Sequence, residues 1–203
     1  MLRSMVFIDY QNFNISMKSY LKTQKQDLFN VNFTLLANEL NSLVELNPIL
    51  LKTFLFAHKP CEKLMKIPYY QKHYSWLSSL KNKRYFEVIE GTQEIRNVNK
   101  NIKIDILKPD TFDTTEKGTD INLAVHMLSK AYQNSYDVAI LVSGDTDYIP
   151  VVEVLHQIGK IVILATFPTQ NISKYDECRD SHIKMNLDFL KNCIPNNKKI
   201  AKI

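Results

Sequence analysis

A three-layer α/β fold, with helices on both faces of a mainly parallel sheet of about five strands, follows from three features of the chain. Short apolar runs without polar alternation recur along it, as strands buried on both faces require. Between them lie segments whose apolar residues return at every third and fourth position, the helical period. Strand and helix patterns alternate with no internal repeat and no linker-like stretch. One domain over 1–203 is therefore expected, with its core at about 5–167 and a C-terminal extension at 168–203.

Met5–Ile8 is a short apolar run broken by Asp9, the first strand. Asn12–Lys22 reads as a helix, as does Asn32–Leu46, where Phe33, Leu36, Leu40, Leu43 and Val44 keep helical spacing. A second strand is expected at Leu50–Ala57, an aromatic-rich helix around Glu62–Leu80, and a third strand at Arg84–Ile89 that ends before Gly91. Gln93–Pro109 alternates polar and apolar residues around an Asn-rich middle. It reads as an exposed two-stranded excursion or a long loop carrying Arg96, Lys100, Lys103 and Lys108. Pro109–Glu116 reads as polar and irregular. After Gly118 a helix runs to about Asn134, with Ile121, Ala124, Val125, Leu128 and Ala131 marking one face. Val138–Val142 is a fourth strand, followed by the Ser143–Asp147 turn and a helix from Tyr148 that ends at Gly159, a residue suited to a helix C-terminus. The fifth strand is Lys160–Phe167. The tail from Pro168 suggests a short helix near Ser173–Arg179 and a Lys-rich, frayed end.

Composition excludes several classes. Of 203 residues, 45% are hydrophobic and 23% charged, which fits a globular chain and not a disordered one. The net charge of +5, from 26 basic and 21 acidic residues, permits a polyanionic partner without demanding one. Cys61, Cys178 and Cys193 lie far apart with no C-x-x-C spacing, which argues against a zinc ribbon or disulfide framework and suits reduced thiols in a cytoplasmic protein. No stretch approaches the roughly 18 consecutive apolar residues that span a bilayer. The start MLRSMVFID reaches an acid too early for a signal peptide, so no membrane partner is expected.

The chemistry is expected at one rim, because ligands of open α/β sheets sit beyond the carboxyl ends of the strands. Asp9 directly follows the first strand. Asp145 and Asp147 follow the fourth across Ser143-Gly144. Asp120 lies in the first turn of the helix leading into that strand, and so at the same end. Clustered carboxylates repel one another and call for a counter-ion or a raised pKa. Mg²⁺ and Mn²⁺ take such hard oxygen donors, and on a phosphodiester such an ion polarises the phosphoryl oxygen and activates water. The histidines, at 58, 73, 126, 156 and 182, fall in no ligand spacing. Each acid also has a capping alternative: Asp145 as a helix N-cap with Asp147 in the following turn, and Asp120 in a first turn facing the helix dipole. Asn12 is equally readable as an N-cap. For Asp9 the structural alternative is weakest, since a charge directly after a buried run rarely serves packing.

Three segments carry a resemblance. FIDYQN at Phe7–Asn12, KGTDINLAVHML at Lys117–Leu128 and YDVAILVSGDTDYIPVVEVLHQIGKIVIL at Tyr136–Leu164 resemble the NYN family of PIN-like nuclease domains, most of all its LabA-like bacterial branch. The resemblance covers about Val6 to Phe167, its middle third in layout only. The SGDTDYIP stretch with the preceding K-G-x-D is its specific part. It implies a PIN-like (Rossmann-like) fold and a divalent-metal-dependent ribonuclease; the function expected first is an endonuclease leaving a 5′-phosphate and a 3′-hydroxyl. The family's acidic positions fall on Asp9, Asp120, Asp145 and Asp147, as catalytic residues and as ligands of Mg²⁺ or Mn²⁺, with the motif asparagine at Asn12.

Tyr10 departs from the small residue the family often has after its first aspartate; it either offers a base-stacking surface or packs beside the first helix. Asn12, Lys117, Ser143 and Thr146 are candidate substrate contacts, with turn, capping or solvated roles as their alternatives. Arg96, Lys100 and Lys103 either line a path for an RNA backbone or form a charged exposed ribbon. RNA is the expected partner, and a homodimer of the chain is left open. The competing function is a non-catalytic RNA-binding or regulatory protein that retains the fold. A phosphatase falls behind, because Asp9-Tyr10-Gln11 breaks the D-x-D pattern such a nucleophile needs.

Overall fold

The computed structural model describes residues 1–98, 104–108 and 111–195. Seven strands form one sheet: β1 (Arg3–Asp9), β2 (Ile49–Pro60), β3 (Phe86–Asn97), β4 (Phe112–Lys117), β5 (Val138–Val142), β6 (Ile161–Thr166) and β7 (Ser181–Lys184). Their spatial order is β4-β3-β2-β1-β5-β6-β7, and every neighbouring pair is parallel except β3 with β4. Helices α1 (Tyr10–Thr23), α2 (Phe33–Ser42), α3 (Pro68–Leu80) and α6 (Leu187–Asn192) cover one face, and α4 (Thr119–Tyr132) and α5 (Ile149–Gln157) the other. The expected three-layer α/β/α architecture is therefore present.

The strand period separates two cores. In β1, Val6 and Ile8 face Phe13, Leu36, Leu77 and Leu190, while Met5 and Phe7 face Leu123, Met127 and Leu155. Strand order reverses direction at β1: β2 and β3 lie to one side, β5 and β6 to the other. Ile8 is in register with Leu55 on β2 and Val142 on β5, so the carboxyl ends of β1 and β5 stand side by side at the switch point.

Two strands lie outside the expected five. β4 occupies the segment read as irregular and pairs antiparallel with the end of β3, Arg96 opposite Asp113. Its polar sequence, FDTTEK, suits an edge strand and hides the apolar signal of a buried one. β7 extends the sheet on the far side of β6, and α6 follows it, where the tail instead suggested a helix over Ser173–Arg179. Only Ser173–Tyr175 forms a helical turn there. Lys100, Lys103 and the Lys-rich end from residue 196 lie outside the described residues.

Gly91 does not end β3. The strand runs through it because β3 passes beneath the β4–α4 junction, where a Cβ at 91 would sit 2.4 Å from Thr119 Oγ1 and 2.6 Å from the Lys117 carbonyl oxygen. The expected helix at Glu62–Leu80 divides into a turn at Leu64–Lys66 and α3, because Ile67 precedes Pro68 and takes an extended ψ of 123°. The expected face of α4 is only partly inward: Ala131 is buried and Ala124 and Leu128 pack partly buried against the core, but the helix is rotated so that Ile121 and Val125 are not covered. Leu123, Met127 and Ala131 are buried, while Ile121 and Val125 are 69% and 55% exposed. This helix carries two apolar stripes, and periodicity alone does not choose between them. β5 and the end of the following helix match the reading, with Gly159 at φ 75°. Among the described residues, no helix is long and apolar enough to cross a membrane.

Candidate active site

Asp9 is the last residue of β1 and the N-cap of α1. Its Oδ1 accepts the Asn12 backbone N–H at 3.0 Å. Capping therefore belongs to Asp9 and not to Asn12. The carboxylate is only 3% exposed, and three donors serve it: that amide, the Ser143 hydroxyl at 3.1 Å and the Tyr148 phenol at 3.4 Å. A buried carboxylate survives only with such partners. Burial pushes its pKa up, as do the negative charges of Asp120 and Asp145, while the Asn12 and Ser143 hydrogen bonds pull it back.

Beyond β5 the chain makes a tight turn. Asp145 sits in extended conformation as the cap of the single helical turn Thr146–Tyr148, its Oδ1 accepting the Asp147 N–H at 3.0 Å. The Asp145 N–H donates to Ser143 Oγ at 3.2 Å, and that hydroxyl donates on to Asp9. Ser143 thus couples the two strand ends, and its buried hydroxyl is directed at a carboxylate. Thr146 opens the helical turn and is half-buried, and Asp147 is exposed. The Tyr175 phenol donates to the Asp145 carbonyl, fixing the turn from beneath.

Asp120 reaches the same rim from α4. The Tyr148 phenol lies 3.2 Å from its Oδ1, so one buried hydroxyl stands between Asp120 and Asp9. α4 begins where it does partly because the His58 imidazole, from the end of β2, places Nδ1 2.9 Å from Thr119 Oγ1 and Nε2 2.9 Å from Glu116. Asn12 Oδ1 accepts both the Gly144 N–H at 3.1 Å and Gln170 Nε2 at 2.9 Å, tying α1 to the turn after β5 and to the loop after β6. Lys117, on β4, pairs with Glu94 at 2.8 Å across the strand pair. Arg96 pairs with Asp113 at 2.8 Å, which accounts for it as one rung of an exposed ribbon.

Asp9, Asp120 and Asp145 thus meet at one edge through Tyr148 and Ser143, whereas Asp147 is tied to them by its backbone N–H alone and its carboxylate is exposed. Tyr148, Gln170, Tyr175 and His58 hold the surroundings of these acids, and sequence reasoning missed them. Only Tyr148 had a local signal, its place directly after Asp145-x-Asp147. Its phenol is held protonated, chiefly by burial and then by the charges of Asp9 and Asp120.

The donor set suits a hard divalent ion: carboxylate oxygens, with the charges of Asp120 and Asp145 adding to the cost of ionising Asp9, and none of them paired with Lys, Arg or His among the described residues. As the side chains are placed, no group of three or more His, Cys, Asp or Glu among the described residues is arranged to hold an ion. The fit is one of donor chemistry and charge.

The family model of the NYN domain matches residues 3–186 of the chain. No curated protein matches it. Among solved structures, the chain is similar to the crystal structure of a protein of unknown function from Vibrio parahaemolyticus, with a TM-score of 0.57 and 18% identity over 93% of this chain and 96% of that one. At that identity the likeness bears on the fold alone.

Proposed function

The chain belongs to the NYN domain family, and from that premise we propose that it is a divalent-metal-dependent ribonuclease, an endonuclease of the LabA-like branch acting on RNA in the cytoplasm. The single observation that carries this reading is the meeting of Asp9, Asp120 and Asp145 about one buried hydroxyl and one serine at the switch point of the sheet.

Asp9, Asp120, Asp145 and Asp147 are the residues that would hold Mg²⁺ or Mn²⁺. Such an ion, when bound, polarises a phosphoryl oxygen and makes water a better nucleophile at neutral pH. The rest falls to the chain. Tyr148 and Ser143 aim Asp9 by donating to it, and the Ser143 bond offsets part of the cost of ionising it. Asp147, exposed beside Asp145, would be a further ligand through water or would orient the attacking water. Asn12 sets the distance between the ends of β1 and β5 by bridging Gly144 and Gln170. Lys117 adds positive charge at the rim for a phosphate, in exchange with Glu94. Attack on the phosphodiester and departure of the 3′-oxygen leave a 5′-phosphate and a 3′-hydroxyl. The protein is taken as one NYN domain over 1–203 with its core at about 5–167, and its thiols at Cys61, Cys178 and Cys193 are free.

The test is cleavage of single-stranded and structured RNA in Mn²⁺ or Mg²⁺, then in chelator, beside Asp145→Asn. Asparagine caps as well as aspartate, so this variant keeps the turn while losing the charge. Loss of cleavage under both treatments is expected; cleavage that survives either one overturns the mechanism. A non-catalytic RNA-binding role that retains the fold is the second reading. RNA binding without cleavage in either metal selects it.

A further inference from the structure

Beside the acidic rim stands an aromatic block that the ribonuclease reading leaves unused. Tyr10, one residue after Asp9, has its ring centroid 5.5 Å from both His73 and Trp76, stacked on the first at 29°. His73 and Trp76 are 5.5 Å apart, and Phe33 backs the group at 5.8 Å from Tyr10 and 6.0 Å from Trp76. Tyr10 is 9% exposed and filled in from outside, so it packs and has no free face for a base. The free surface belongs to α3. Tyr69, His73 and Trp76 recur at i, i+4 and i+7 and so share one stripe of that helix. Tyr69 is 70% and Trp76 36% exposed.

The surroundings suit a polyanion. α1 and α3 together contain Lys18, Lys22 and Lys72 and no Asp or Glu. The Lys18 and Lys72 side chains are exposed, and the charge of Lys18 is felt at His73. Partly exposed rings, lysines around them and an acidic rim that begins one residue before Tyr10, on which His73 and Trp76 pack, are what an unpaired strand of nucleic acid needs: phosphates meet the lysines and bases lie on the rings.

We propose that the Tyr69–His73–Trp76 ledge is a stacking subsite for unpaired bases of single-stranded RNA, next to the scissile phosphodiester. This rests on the reading of the acidic rim as a nuclease centre, and it names the form of the substrate: single-stranded at the flank lying along α3. Bases inside a duplex are covered by their neighbours and present no face to the ledge, so the interior of duplex RNA is excluded from it.

Trp76 is the only tryptophan of the chain, so intrinsic tryptophan emission reports on the ledge alone. The protein is titrated in chelator with a single-stranded 12-nucleotide oligouridine and oligoadenine RNA and with an RNA duplex of the same length, and the affinities of all variants are read from the anisotropy of end-labelled RNA, since the Trp76 variants have no tryptophan emission. Saturable quenching by the single strands and none by the duplex is expected. Tyr69→Ala, a change at an exposed site that leaves the core intact, and Trp76→Ala each weaken single-strand binding roughly tenfold, while Trp76→Phe keeps most of it. Binding without quenching, equal quenching by duplex, or unchanged affinity in both alanine variants overturns the subsite, as does failure to bind RNA. The two proposals separate in their outcomes. Cleavage in Mn²⁺ with undisturbed tryptophan emission leaves the nuclease and removes the ledge; quenching by single strands without cleavage in either metal does the reverse.

Discussion

The phenol oxygen of Tyr148 lies 3.2 Å from Asp120 Oδ1 and joins a helix start to the acid at the end of the first strand, since the same oxygen is 3.4 Å from Asp9. It has one proton for two carboxylates. Tyr148→Phe keeps the ring in its core and removes only that donor, so a loss of about 1 kcal/mol is expected in urea unfolding in chelator. Unchanged stability would show that the hydroxyl does not hold the two acids.

Asp9 gives a pH dependence of defined sign. Its pKa is raised in the folded state, so the native protein binds this proton more tightly than the unfolded chain does. Its contribution is fully present below the unfolded carboxyl value of about 3.9 and declines as pH rises through the folded value. In chelator at pH 7, Asp9→Asn is therefore expected to melt above the parent, with the advantage vanishing near about pH 4. Asparagine retains the cap on α1. Melting scans across pH decide it, and a variant that melts below the parent at neutral pH refutes the assignment.

Arg3 and Asp137 show the opposite sign. The guanidinium beside Asp137, which also takes the Arg3 backbone N–H at 2.8 Å, pulls that carboxyl down to about 2. The stabilisation is present above the unfolded value and is lost as pH falls toward 2. The pair is partly exposed, so Asp137→Asn is expected to cost only about 1 kcal/mol, or roughly 2–4 °C at neutral pH, with parent and variant converging in acid. A gap that persists at the lowest pH would sink this account.

Two glycines differ in what surrounds them. A Cβ at Gly144 would meet the amide end of Gln170 at 2.4 Å, and a flexible side chain can yield, at the expense of its bond to Asn12. A Cβ at Gly91 meets the Lys117 backbone carbonyl at 2.6 Å, which cannot yield without moving the β4–α4 junction. Gly144→Ala should cost on the order of 1 kcal/mol and Gly91→Ala about 3 kcal/mol or more. Adding Gln170→Ala should recover part of the first loss and none of the second. Chemical denaturation of the four variants, including the two doubles, tests the ranking.

Sequence alone determined the layers and the rim. Runs such as Val138–Val142 are apolar throughout because both faces of a parallel strand are covered, and an acid directly after such a run marks its carboxyl end; both signals are local. Tertiary structure decided what depends on residues distant in the chain. Which of two apolar stripes of α4 turns inward is set by the sheet beneath it, not by the helix. That β3 continues through Gly91 is set by Thr119 passing over it. That Tyr10 packs instead of receiving a base is set by His73 and Trp76, over sixty residues away, closing on its ring. Four aspartates near one edge were legible one by one. Their connection through Tyr148, Ser143, Asn12 and Gln170 was not, because hydrogen bonds across more than a hundred residues leave no period or spacing in the chain.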